Sequence, residues 1–247
     1  MIIFVVLLIV FCVLIGFFAE SVFGDYYRTM GVDHRYNPQV CVMLPEERPE
    51  EISAITNAAI SEWENKLIDA TGGNWHFFVF EYDFIEHDKL TVDDYPRCTI
   101  FVNFTNGVEN QSVGRTGFDF SSSDRYYFWV EVDLYTIEKR LQITLGESMN
   151  TSTVSNKVTW KEIPDNDLAN IVRHEFGHGL GLEHYYVNTD CRVKECDYSP
   201  IMYSSITVFE GQEKFVAEKD IEMMIKIYGE DGFGGLKPYT QRNVQFE

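Results

Sequence analysis

Apolar positions along the chain change their period several times, and each change predicts an element. Residues 1–18 (MIIFVVLLIVFCVLIGFF) form an unbroken apolar run without a polar face, and Glu20 is the first charge. That length lies between the core of a secretory signal and a full membrane span of about 20 residues. Residues 1–24 therefore read as a signal peptide or an N-terminal membrane anchor, with small-residue cleavage sites ending at Ser21 and Gly24. No Lys or Arg precedes the run, so flanking charge assigns it no orientation. Residues 25–35 read as a linker, 36–231 as the folded domain and 232–247 as a tail with little periodicity.

Within the domain, residues 39–44 (QVCVML) predict a strand closed by Pro45. Ile52, Ile55, Ala59, Ile60, Trp63 and Leu67 recur at helical spacing, predicting an amphipathic helix over 49–67 that Gly72 and Gly73 end. Residues 75–84 (WHFFVFEYDF) are dense enough in aromatics for a well-buried strand, and 97–104 (RCTIFVNF) predict another. The stretch 112–120 (SVGRTGFDF) has two glycines and polar positions, which suit a sheet edge. Residues 126–135 (YYFWVEVDLY) begin with four aromatics and then alternate, as a central strand does. A polar stretch intervenes over 138–155. A helix opens near Pro164, where acids suit its positive end, with Leu168, Ile171 and Val172 on its apolar face. A last helix over 216–228 carries Ile221, Met224, Ile225 and Tyr228 on one face and stops at Gly229. This order predicts an α/β fold of helices packed against one mixed sheet.

Composition narrows the partners. With 39 acidic and 20 basic residues the formal charge is −19, which repels nucleic acid and anionic membrane surfaces. Any membrane contact is left to the N-terminal apolar segment. Cys12 lies in that segment; Cys41, Cys98, Cys191 and Cys196 remain, and four cysteines allow three pairings. Cys191 and Cys196 enclose only four residues, so a local bridge is the natural reading and Cys41 with Cys98 follows by elimination. A second metal site is the rival reading, without a CxxC pair to support it. Sequons at Asn103, Asn110 and Asn150 offer glycosylation sites to an exported chain.

The chemistry concentrates in residues 174–184 (HEFGHGLGLEH). His174 and His178 are four apart, so on a helix their rings project from one face and can grip one small tetrahedral cation. Glu175 stands beside the first ligand, where a carboxylate reaches a water without ligating the metal. Gly181 allows the positive φ that ends a helix, and the turn returns His184 as a third ligand, leaving the fourth position to water. These residues predict Zn²⁺ as cofactor. His34, His76 and His87 are scattered and read as surface or satisfied core histidines.

The same eleven residues resemble the metzincin metallopeptidases, whose pattern HExxHxxGxxH they fill at every fixed position. Residues 199–203 (SPIMY) look like that family's Met-turn, in which Met202 would be the apolar floor beneath the metal. The ending AEKDIEMMIKIYG, with Asp220, looks like the closing helix of the matrixin branch. Tyr185 stands where matrixins usually carry serine, and no PRCG-like switch precedes residue 39, so latency by a thiol is not implied. The resemblance covers roughly residues 36–231. It implies a mixed, mostly parallel five-stranded sheet packed on helices around a zinc cleft, with a small C-terminal subdomain holding the Met-turn and final helix. It implies a monomeric, extracellular zinc endopeptidase, secreted or anchored, with His174, His178 and His184 on the metal and Glu175 as general base. An extended polypeptide substrate would lie along an edge strand, for which 112–120 is the candidate, and Tyr203 would help shape the pocket. The alternatives are an aminopeptidase-like zinc hydrolase and a non-catalytic, zinc-stabilised binding domain.

Overall fold

The computed structural model describes residues 26–29, 34, 36–83, 92–107, 112–122, 126–145, 152–186, 200–203 and 211–234. Five strands make the main sheet: β2 (Gln39–Met43), β3 (Phe78–Tyr82), β4 (Ile100–Thr105), β5 (Gly114–Phe120) and β6 (Tyr126–Asp133). Their order is β3-β2-β4-β6-β5. The first four run parallel, and β5 is antiparallel to β6 at the edge. The expected mixed, mostly parallel five-stranded α/β sheet is therefore present, and 112–120 forms its edge as its glycines suggested.

Alternation within the strands makes two apolar faces. Val40 and Val42 of β2 point with Ile100, Val102, Phe128, Val130 and Val132 into the main core, under helices α1 (Pro49–Thr71) and α2 (Asp165–Gly179). Cys41 and Met43 point the other way, to Cys98 and Phe101. Cys41 and Cys98 are disulfide-bonded, as elimination suggested, and the bond suits an oxidising compartment. Cys191, Cys196, His87, Asn110, Asn150 and the apolar segment 1–24 lie outside the described residues. Among the described residues no helix is long and apolar enough to cross a membrane.

The helices start and stop for local reasons. Pro49 takes the first position of α1, Glu50 and Glu51 suit its positive end, and Gly72 closes it at φ 68° with its N–H on the Ile68 carbonyl. Arg48, at φ 55°, precedes α1 and pairs with Glu51, Glu162 and Asp165, which joins the start of α1 to the start of α2. Trp63 of α1 is fully buried and donates Nε1–H to the Arg173 carbonyl of α2 at 3.0 Å. A third helix, α3 (Glu218–Tyr228), buries Ile221, Met223 and Met224.

Four expectations need correction. The stretch 25–35 is not only a linker: β1 (Tyr26–Thr29) pairs antiparallel with β9 (Leu182–Tyr186), and His34 is buried. The aromatic run 75–84 is not a well-buried strand. Trp75 and Phe77 enter the core ahead of β3, whereas Phe78 and Phe80, on an edge strand with one neighbour, are 52% and 38% exposed. The polar stretch 138–155 belongs largely to an antiparallel ribbon of β7 (Tyr135–Leu145) and β8 (Ser152–Glu162). Its Thr and Val content supports a strand even where polar residues dominate. The tail beyond 231 begins packed, because Phe233 is 1% exposed and its N–H donates to the Asn74 carbonyl at 2.8 Å. In addition, the Asn103 sequon sits on β4 between β2 and β6 with 8% exposure, which leaves no room for a glycan.

Candidate metal centre

Helix α2 is buried along nearly its whole length, from Asp167 to Gly179. Gly177 permits the closest approach: a Cβ there would stand 2.3 Å from Met202 Sδ and 3.0 Å from Trp63 Cζ2. The helix stops after Gly179, Gly181 takes φ 96°, and the chain continues as β9. This turn brings His184 back to the two histidines of the helix. His184 Nε2 lies 3.2 Å from His174 Nε2 and 3.3 Å from His178 Nε2.

The hydrogen bonds on the far side of the rings fix which nitrogen is free. His174 Nδ1 is 2.7 Å from the Ile201 carbonyl, and His178 Nδ1 is 2.7 Å from the Leu182 carbonyl. A carbonyl only accepts, so each Nδ1 carries the proton and each Nε2 presents a lone pair. Burial, with some repulsion from the neighbouring rings, pushes His174 down to about 3 and His178 down to about 4, and burial lowers His184 as well. All three imidazoles are neutral at physiological pH. Lone pairs gathered this closely repel unless a cation stands between them. Tetrahedral ligands at about 2.0–2.1 Å from a zinc-like ion stand about 3.4 Å apart, which the observed spacing meets. These three residues are the one group of metal-ligating side chains found among the described residues, and their ligand atoms lie within 4.8 Å of one another. The sequence-predicted triad is thus assembled, and it fits a metal ion.

Glu175 is 7% exposed and faces β5 rather than solvent. Thr116 Oγ1 lies 2.7 Å from Glu175 Oε2 and 3.0 Å from the Glu175 carbonyl oxygen, so its single proton serves one or the other. Burial pushes the Glu175 carboxyl up to about 7, with Thr116 and the Arg115 charge pulling it back. A carboxyl at that value exchanges its proton easily at neutral pH. Gly114, two positions before Thr116 on the same face of β5, sits so close that a Cβ would meet Glu175 Oε1 at 2.5 Å and Ile171 Cγ2 at 2.7 Å. Gly114→Ala is therefore expected to turn the Glu175 side chain aside. A loss of about 1–3 kcal/mol in urea unfolding should accompany that shift. An unchanged urea midpoint would show that Glu175 does not depend on the space at Gly114.

Met202 is fully buried and lies against Gly177 beneath the helix. The turn it sits on is held by Asp220 of α3. Asp220 Oδ2 accepts from the N–H groups of Ile201 and Ala217 at 2.8 Å each, and Oδ1 accepts from Met202 N–H at 3.2 Å. Burial lifts this carboxyl to about 6, against the pull of the three N–H groups. Asp220 thus holds the Ile201 peptide whose oxygen orients His174. Sequence reasoning singled out the ligands, Glu175 and Met202 but missed Thr116, Gly114 and the two orienting carbonyls. The alternation of Gly114 and Thr116 on an edge strand was the one available signal. Compared with known proteins, the chain matches no family model and no curated sequence.

Proposed function

We propose that the chain is a zinc-dependent hydrolase and, within that class, an endopeptidase of extracellular proteins with a metzincin-like, matrixin-like active site. The observation that carries this reading is the convergence of three neutral imidazoles, two from one helical turn and one from β9, next to the buried carboxyl of that turn. A structural zinc site takes four protein ligands and needs no adjoining base, whereas three ligands and a glutamate at raised pKa suit hydrolysis.

His174, His178 and His184 would hold a zinc ion through their Nε2 atoms, and the ion would supply Lewis acidity there. Glu175 accepts the water's proton at the carboxyl oxygen that Thr116 leaves free, the hydroxide oxygen bonds to the peptide carbonyl carbon, and Glu175 delivers the proton to the amine nitrogen as the C–N bond breaks. Thr116 donates to the other oxygen and keeps the carboxylate aimed. An extended peptide gains main-chain hydrogen bonds by adding to the outer edge of β5, the strand that carries Gly114 and Thr116 past Glu175. Met202, on what is read as a Met-turn, gives the site an apolar floor, and Tyr203 beside it would help shape the pocket for the side chain after the cut. Specificity falls to neighbouring residues of that kind.

Full-length protein should bind one zinc per chain and cut both an unstructured protein and amine-blocked peptides. A chelator should abolish cleavage, and added zinc should restore it. Cleavage confined to peptides with a free amino terminus would point instead to an aminopeptidase. Stoichiometric zinc with no cleavage of any substrate would point to a binding domain.

A further inference from the structure

We propose that Tyr26–Thr29 and His34 act as a strap that sets the position of the third metal ligand, with His34 as its anchor. The proposal rests on the reading of the three histidines as a metal site. His174 and His178 ride on a buried helix. His184 rides on β9, which pairs only with β1 among the described residues, through Tyr26 with Tyr186, Tyr27 with Tyr185 and Thr29 with Leu182. A strand without a ladder partner does not hold its geometry in water, so the alignment of His184 depends on Tyr26–Thr29.

The second attachment lies on the other side of the same turn. His34 is 4% exposed, and its Nε2–H donates to the Gly179 carbonyl at 2.7 Å. Its ring packs on Phe128 at 5.2 Å and meets Phe233 edge-on at 6.3 Å. Its backbone N–H donates to Tyr228 Oη at 3.1 Å, and that hydroxyl donates to the Leu180 carbonyl at 2.7 Å. Gly179 and Leu180 end α2, and the last carbonyls of a helix have no partner within it. Here two of them are satisfied from His34 and from the tyrosine that His34 engages. The turn from His178 to His184 is thus gripped at its start by His34 and along its end by β1. Cleavage of the apolar segment at Ser21 or Gly24 leaves this strap on the mature chain.

The test measures metal affinity on the full chain, by zinc competition with a chromogenic chelator and by the visible spectrum of the cobalt-substituted protein. His34→Ala should weaken zinc binding roughly tenfold to a hundredfold, the range found for residues that orient metal ligands. It should also broaden the cobalt bands. His34→Gln, which keeps an N–H donor, should recover most of the affinity, and His76→Ala, on the exposed surface, should change nothing. Tyr27→Pro with Arg28→Pro is the second variant. Consecutive N–H groups of a strand point to opposite sides, so this pair removes whichever one faces β9. It keeps the test decisive if His34→Ala does not fold. Wild-type affinity in a cooperatively folded His34→Ala, or in the proline pair, overturns the strap. Absence of zinc binding by the wild-type protein overturns the metal reading itself.

Discussion

Glu175→Gln should reduce peptide hydrolysis on the order of a thousandfold while zinc remains bound, because the amide cannot take up a proton. The same substitution should stabilise the metal-free protein at alkaline pH. The folded-state value of Glu175 is raised to about 7 by burial, from 4.5. The stability linked to a raised carboxyl is fully present below the unfolded value and is lost as pH rises through the folded one. At pH 8 the metal-free wild type therefore holds an ionised, buried carboxylate that costs about 3 kcal/mol, and glutamine does not. The expected pattern is a higher melting temperature for the variant at pH 8, shrinking to little difference at pH 5. Thr116 should keep its hydrogen bond to the amide oxygen, so no structural loss offsets the gain. Thermal melts in a chelating buffer at the two pH values decide the point. A variant that cleaves at the wild-type rate with zinc retained would sink the assignment of the base.

Asp220→Ala should produce the largest loss of stability of any single substitution near the site. The carboxylate accepts three backbone N–H groups, from Ile201, Met202 and Ala217, and it is fully buried. Alanine leaves the buried Ile201 and Met202 donors unpaired, each at a cost of about 1–3 kcal/mol, and frees the part-buried Ala217 N–H as well. A total of roughly 3–5 kcal/mol is expected in urea unfolding, since local relaxation recovers part of it. Asp220→Asn keeps one acceptor oxygen and should cost less. Both variants should also weaken zinc binding, because Ile201, whose oxygen aligns His174 at 2.7 Å, loses its anchor. Equal urea midpoints for Asp220→Ala and wild type would show that the turn is held by other contacts.

The ligand motif was legible because its information is local. The spacing of His174, His178 and His184 encodes one helical turn and one reversal, which is enough to name the three ligands, although what aligns them lies farther along the chain. The sheet edge was legible for a similar reason, since Gly114 and Gly117 disfavour a central position. What the sequence hid depends on partners far along the chain. His34 looks like an isolated histidine until Gly179, 145 residues away, supplies its acceptor. The strand around Phe78 and Phe80 looked buried because aromatic density does not reveal how many neighbours a strand will have. The ribbon of β7 and β8 was passed over because its polar residues hide an alternation that only pairing makes visible. Thr116 joined the site through β5, whose place beside α2 follows from the antiparallel return of that strand and not from any local pattern.

The bond between Cys41 and Cys98 has a further bearing on how the chain withstands proteolysis. It closes a span of 57 positions that contains α1, β3 and the residues between β3 and β4. A nick anywhere inside that span by a protease leaves both pieces joined and the sheet still tied at its centre. Such a molecule would migrate as one band without reductant and as two with it. The crosslink therefore confers tolerance to a proteolytic cut on the part of the chain that carries α1.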